Sequence, residues 1–187
     1  TSSLLMRRLS GYGLTGEELW EHSVACAQMA RFVADTVNYP DSEEAYVAGL
    51  LHDVGKLVLD QYVRVDYQAI LGLMKRRGLP LWQAEEQFIG MDHGAVGGLL
   101  ANDWRFPVTL VEAIRCHHWP SFANTRPELA AIVNVANALT PGKTKGGMAL
   151  GGGTIHPEAL RILKLDESRL KRSTGMLVEH GARAGAR

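Results

Sequence analysis

Ala48-Gly49-Leu50-Leu51-His52-Asp53-Val54-Gly55-Lys56 is the stretch that decides how this chain is read. An apolar run closing on a His-Asp pair and then a glycine is a helix ending on two polar side chains that water would normally claim. Pro40 stops the preceding region, and Asp41-Ser42-Glu43-Glu44 forms a capping box, so the helix is expected from Ala45 to about Asp53 with its end near Gly55. Adjacent helical side chains point about 100° apart. His52 and Asp53 can therefore serve one site only where that site lies between them. Leu57-Val58-Leu59 resumes an apolar segment as a short, kinked continuation.

Other histidines fall in comparable settings on either side. Thr15-Gly16-Glu17-Glu18 is a capping box, and the helix it opens should run to about Val37. Leu19, Cys26, Ala30, Val33 and Val37 recur at spacings of three, four and seven, which marks a packed face, and His22 sits on that side. A helix from about Asp66 to Arg77 closes at Gly78, and Leu79-Pro80 restarts the chain through Trp82 to Ile89. Asp92 caps a helix carrying His93, Val96, Gly97 and Leu100 on one stripe. Pro107 opens a helix from Val108 to about His118, and Trp119-Pro120 ends it with His117-His118 at its close. Pro127 to Leu139 is a further helix, with Asn134 and Asn137 one turn apart. Two more are expected near Pro157 to Leu163 and Glu167 to Val178, before a frayed tail from Gly181 to Arg187. No strand alternation is convincing, so the fold class is all-α, a bundle of about seven to nine helices.

The bulk numbers set limits. A chain of 187 residues with equal numbers of acidic and basic side chains can bury a core and carries no electrostatic footprint for DNA, RNA or an anionic membrane. Cys26 and Cys116 are too few for a disulfide scaffold and read as buried thiols. No 18-residue apolar run or signal-peptide hydrophobic region occurs, which favours the cytoplasm. The chain starts at Thr1, so a fragment with a missing natural start is expected. Residues 1–14 form an N-terminal segment, 15–140 the helical core, and 141–187 a Gly-rich connector with C-terminal helices packing on that core. The connector's Gly142-Lys143-Thr144 lacks the upstream glycine and preceding strand of a phosphate loop. Trp20, Trp82, Trp104 and Trp119 sit at helix starts or ends and read as core rings that seal lobes. His156 and His180 read as helix-boundary residues, and Asn134 as a hydrogen-bonding amide.

These segments resemble the HD superfamily of helical metal-dependent phosphohydrolases, and more closely its signalling branch, the HD-related output domain or HDOD. The matching pieces are Trp20-Glu21-His22-Ser23, the stretch from Ala48 to Lys56, Asp92-His93 with Val96-Gly97, and Trp104-Arg105-Phe106-Pro107. Ala113 to His118 and Ile132 to Asn137 complete the match. The resemblance implies an HD-domain-like bundle, and it implies roles residue by residue. His22 corresponds to the first metal histidine. His52 and Asp53 form the defining pair, with Asp53 able to bridge two ions. His93, His117 and His118 are similar to the extra ligands of the di-iron cyclic-dinucleotide phosphodiesterases. Asn137 stands where a final aspartate is usual, so the set His22, His52, Asp53 and Asn137 should hold its metal less firmly. The Gly-Tyr-Pro element of the phosphodiesterase branch is absent, because Trp119-Pro120-Ser121-Phe122 follows the paired histidines. Output domains of this kind usually carry an additional helical lobe ahead of the region seen here.

A mixed imidazole and carboxylate set suits one or two ions of iron, manganese or zinc better than magnesium. In an active site Asp53 would take part in catalysis. Lys56 is the nearest candidate for a phosphate contact, although a lysine at a helix end is more often solvated, and Arg115 is a poorer candidate. Three functional readings stay open. The first is a metal-binding regulatory or output domain of a bacterial signal transduction protein, docking other signalling domains or proteins. The second is a metal-dependent phosphohydrolase for a nucleotide or cyclic dinucleotide. The third is a metal-free interaction module whose histidines only form hydrogen bonds.

Overall fold

The structure is a computed structural model, and it describes residues 8–9, 12–63, 67–140, 142, 150–151 and 154–166. Helices dominate. Two short strands, β1 (Arg8–Leu9) and β2 (Leu14–Thr15), pair antiparallel ahead of them. The helices are α1 (Gly16–Thr36), α2 (Ser42–Leu51), α3 (Gly55–Val63), α4 (Tyr67–Arg77), α5 (Leu81–Ile89), α6 (His93–Asp103), α7 (Val108–Cys116), α8 (Pro127–Leu139) and α9 (Pro157–Leu163). A 3₁₀ turn, Pro120–Phe122, follows α7. The all-α reading holds, with the small strand pair as an addition that two-residue strands are too short to announce. Among the described residues, no helix is long and apolar enough to cross a membrane. The segment before Arg8, most of the connector, the helix expected from Glu167 and His180 lie outside the described residues.

Local chemistry sets the helix starts. Thr15 and Glu18 form the complete reciprocal box expected for α1. Asp41 caps α2 by accepting the Glu44 amide, but the reciprocal half does not form. The Glu44 carboxylate is engaged instead by the Tyr39 and Thr109 hydroxyls, which tie α2 to α7. Helix α2 stops at Leu51, two residues earlier than expected. Short backbone bonds from Val54 to Leu51, Lys56 to Asp53 and Leu57 to Val54 turn the chain into a separate α3. His52 is thus the C-cap residue and Asp53 lies in the turn.

Two apolar clusters organise the packing. The larger joins α1, α2, α7, α8 and α9 through residues such as Cys26, Val33, Ala48, Ala113, Ile132 and Leu163. The second joins Leu9, Tyr12 and Leu14 to Leu59, Ile70, Ala84 and Val96. Both cysteines are buried, as expected. Three of the tryptophans are not core. Trp20, Trp104 and Trp119 are 50%, 52% and 37% exposed. Trp20 follows buried Leu19 by one residue, which turns its ring about 100° away from the packed face. Trp104 and Trp119 lie beyond their helix ends, where they meet Phe106 and Phe122.

Two of the close crossings set the position of the His-Asp turn. A Cβ on Gly49 would come within 2.9 Å of Ala27 Cα and Ala30 Cβ, so α2 lies directly on α1. A Cβ on Gly55 would stand 2.0 Å from the His93 carbonyl oxygen and 2.7 Å from the Gly97 amide, so α3 lies directly on α6. Gly55→Ala is expected to destabilise the domain by about 3 kcal/mol, because backbone must move to admit the methyl. Urea denaturation checks this.

Glu112 offers a second test. Its buried carboxylate accepts the Asn124 and Thr125 amides at 3.0 and 2.7 Å, pinning the loop before α8 to α7. Burial pushes this carboxyl up, but the two amides outweigh it and the net shift is downward. A depressed folded pKa adds stability above the unfolded carboxyl range, and this is lost as pH falls through the folded value. Glu112→Gln should therefore cost about 1–2 kcal/mol at neutral pH and progressively less in acid, read from urea midpoints across pH.

Candidate metal centre

The expected ligand residues come from the second turn of α1 and from the ends of other helices and the turns beside them. His22 is on α1, His52 caps α2, Asp53 lies in the next turn, His93 begins α6, His117 and His118 follow α7, and Asn137 is near the end of α8. Six of these seven, all but Asn137, meet in two groups. His22, His52 and Asp53 each offer a ligand atom within 4.8 Å of the others, and so do His93, His117 and His118. His93 links the groups, with Nε2 3.2 Å from Asp53 Oδ1 and 3.0 Å from His118 Nε2. His22 Nε2 and His52 Nε2 stand 3.7 and 3.5 Å from Asp53 Oδ2.

The hydrogen bonds made by the far side of each ring set its near side. His52 Nδ1 lies 2.7 Å from the Gly49 carbonyl, and His117 Nδ1 lies 2.7 Å from the Ile114 carbonyl. A carbonyl only accepts, so each Nδ1 carries the proton and each Nε2 presents a lone pair inward. Those two Nε2 atoms, His22 Nδ1 and Nε2, Asp53 Oδ1 and Asn137 Oδ1 are buried without a hydrogen-bond partner. Unpartnered buried acceptors are costly. One nitrogen of His22 together with the two Nε2 atoms and the Asp53 oxygen fits a divalent cation, which needs no proton from them. Outer-shell hydrogen bonds of this type also fix ring orientation in metal sites.

Protonation leaves four of the five histidines with a free lone pair. Burial pushes His22 down to about 4 despite the Asp53 carboxylate. Burial lowers His52, His117 and His118 as well, the last two far below the ordinary range with neighbouring imidazoles adding to the effect. His93 goes the other way. Burial opposes its proton, yet the Glu85 carboxylate and Asp53 raise it to about 9. Burial alone would raise Asp53, but His52, Lys56 and His93 hold it well below the usual carboxylate range.

Lys56 is not the solvated helix-end residue the sequence suggests. It is 3% exposed, and its Nζ lies 2.6 Å from Asp53 Oδ2. The turn between α2 and α3 puts it three residues from Asp53, folding the ammonium back onto the carboxylate. Lys56 also lines a cleft of about 660 Å³ with His93, His118, Asn137, Trp82 and His156. Arg115 is exposed, lies over Gly98 and faces a separate groove with Met91 and Trp119. Asn134 is a structural amide, donating to the His117 carbonyl at 2.8 Å and accepting the His156 amide at 2.9 Å. His156 caps α9, as its boundary position suggests, and its ring meets Trp119.

Sequence reasoning missed two residues. Glu85, fully buried on α5, accepts both the ring Nδ1 and the backbone amide of His93, at 2.6 and 2.9 Å. Tyr12, between the two strands, donates its hydroxyl to Glu85 Oε1 at 2.9 Å. A signal for Glu85 was available, because it shares a helical face with Leu81, Ala84 and Ile89. No comparable signal marks Tyr12.

The histidines give the metal-free protein a pH optimum. Four histidines held neutral bind fewer protons folded than unfolded, so stability falls as pH drops from about 6.5, the unfolded value, toward the lowered folded ones. His93 binds more protons when folded, so its contribution is full below about 6.5 and is lost as pH rises through about 9. Stability of chelator-treated protein should peak near neutrality and fall more steeply on the acid side. Thermal midpoints between pH 5 and 9.5 would show it, and a monotonic rise with pH would contradict it.

Comparison with known proteins places this geometry in a family. The HDOD domain model matches residues 2–120. Ribonuclease Y of Mycoplasmoides gallisepticum is 27% identical over 140 residues, covering 72% of this chain and 21% of the relative. The chain thus spans about a fifth of the length of that curated relative. An HDOD domain protein of unknown function from Geobacter sulfurreducens has a similar structure at TM-score 0.62 and 26% identity, covering 83% of this chain and 51% of that one. A protein from Marinobacter aquaeolei, provisionally described as a signal transduction protein, superposes at TM-score 0.69 and 25% identity over 89% of this chain and 38% of its own. With nearly two thirds of its length matched by that model and the His-Asp turn at the centre of the fold, this chain belongs to the HDOD domain family.

Proposed function

We propose that the chain is a metal-binding regulatory or output domain of a bacterial signal transduction protein working in the cytoplasm. His22, His52, Asp53 and Asn137 would hold one ion, and Asp53, His93, His117 and His118 a second. The observation that carries the reading is the set of buried, unpartnered donor atoms converging from separate helices and turns. Hydrogen bonding alone accounts poorly for them, because His52 and His117 leave Nε2 unpaired although each Nδ1 is bonded to a carbonyl. Imidazole and carboxylate donors favour iron, manganese or zinc over magnesium. The amide of Asn137 brings no charge, so the first set is the weaker one. The signalling role draws on family membership and on the relative described in those terms. Its partners are other signalling domains or proteins that dock on the bundle.

The cleft favours a second reading, a phosphohydrolase acting on a nucleotide or cyclic dinucleotide. Hydrolysis needs space beside the centre, and the cleft lined by Lys56, His93, His118 and Asn137 supplies it. Trp119 and Phe122 line the neighbouring groove, which shares Trp82 and His118 with this cleft. A bound metal would supply an acidified water and charge neutralisation at phosphorus. The chain's own part is positional. Asp53 and the imidazoles fix the donor geometry, and Lys56 brings a buried positive charge to the cleft wall for a phosphate oxygen.

Metal analysis separates these readings. Protein purified anaerobically, without chelator or a nickel column, should carry one or two equivalents of iron, manganese or zinc per chain, and His118→Ala should carry less. Absence of metal in both, with none taken up on titration, would leave the metal-free interaction module. Loaded protein that hydrolyses a phosphodiester, with Lys56→Met lowering the rate at least tenfold, would establish the enzyme.

A further inference from the structure

A hydrogen-bonded route from the second apolar cluster to the metal-type residues runs through the chain Tyr12, Glu85 and His93. All three side chains are buried, and Tyr12 and Glu85 are fully so. Glu85 Oε2 takes two donors from one residue, the ring Nδ1 at 2.6 Å and the amide at 2.9 Å, which fixes both ring and backbone of His93. Its other oxygen is held by Tyr12, which lies between β1 and β2. A neutral core would not call for a carboxylate here, because burial raises its cost. The arrangement has a chemical purpose if a proton must stay on Nδ1 so that Nε2 faces Asp53 and His118.

We infer that Glu85 is the positioning residue of the centre and that Tyr12 sets Glu85, so that the N-terminal strand pair is a working part of the site and adjusts how firmly His93 engages a cation. The inference rests on the metal-binding reading for its consequence, but the orientation itself does not. Among the described hydrogen bonds Glu85 touches neither Asp53 nor Lys56 and reaches the centre through His93. The substitution Glu85→Gln would keep the shape of the side chain and lose the charge that holds the proton.

Two readouts test it, with Glu112→Gln as a control that loosens a helix–loop tie away from the centre. In metal-free protein, long-range ¹H–¹⁵N spectra should show a low-field Nδ1 proton on His93, lost in Glu85→Gln and retained in Glu112→Gln. Cobalt(II), used as the probe, should bind Glu85→Gln roughly 10–100-fold more weakly than wild type with an altered visible spectrum. Tyr12→Phe should change both readouts in the same direction by less. An unchanged His93 signal, or cobalt affinity within about twofold of wild type alongside a lowered melting temperature, would reduce Glu85 to a structural role and overturn the inference. If Glu85→Gln fails to fold, Tyr12→Phe decides by the same two readouts. Wild-type protein that takes up no cobalt would defeat the metal-binding reading, and the His93 signal in the variants would then decide the positioning role alone.

Discussion

Everything at the centre depends on how closely α3 can lie on α6. With no side chain at Gly55, the turn carrying His52 and Asp53 sits against the first residue of α6, and His93 reaches Asp53. Gly49 does the same for α2 on α1, which brings His22 to the same carboxylate. The ligand-type residues are therefore placed by backbone contact, not by long flexible reach. Packing of this density tolerates little displacement.

Closeness has an electrostatic cost that the fold meets in two different ways. Most of the imidazoles are kept uncharged by burial, with backbone carbonyls choosing the tautomer for His52 and His117. The charges that remain occur as opposed neighbours, Asp53 with Lys56 and Glu85 with His93. Buried ion pairs of this kind contribute little net stability, yet breaking one is expensive. Their value is in fixing geometry, and each pair touches one of the groups that would face a cation.

Much of this architecture was legible in the sequence because it is written in short-range rules. The Thr15 box, the Asp41 and Asp92 caps and the proline starts of α8 and α9 declare themselves within four residues. Periodicity placed His22 and His93 on buried faces before any tertiary information. What failed needed knowledge of neighbours distant in sequence. Glu44 abandoned its capping role for Thr109, and three tryptophans assigned to the core face water. The 73-residue step from Tyr12 to Glu85 leaves no local trace at all. Lys56 was misjudged because a helix-end lysine is ordinarily solvated, and only the tight turn behind it reveals where its ammonium goes.

That ammonium has a consequence for how far the fold depends on an ion. A core carboxylate surrounded only by metal ligands ties the survival of the fold to the supply of the ion. Here Asp53 has a resident counter-ion of its own, built into the chain three residues away. Loss of a neighbouring imidazole need not leave bare negative charge in the interior. Shape and chemistry are thereby uncoupled. The packing around the turn can then persist without an ion to hold it.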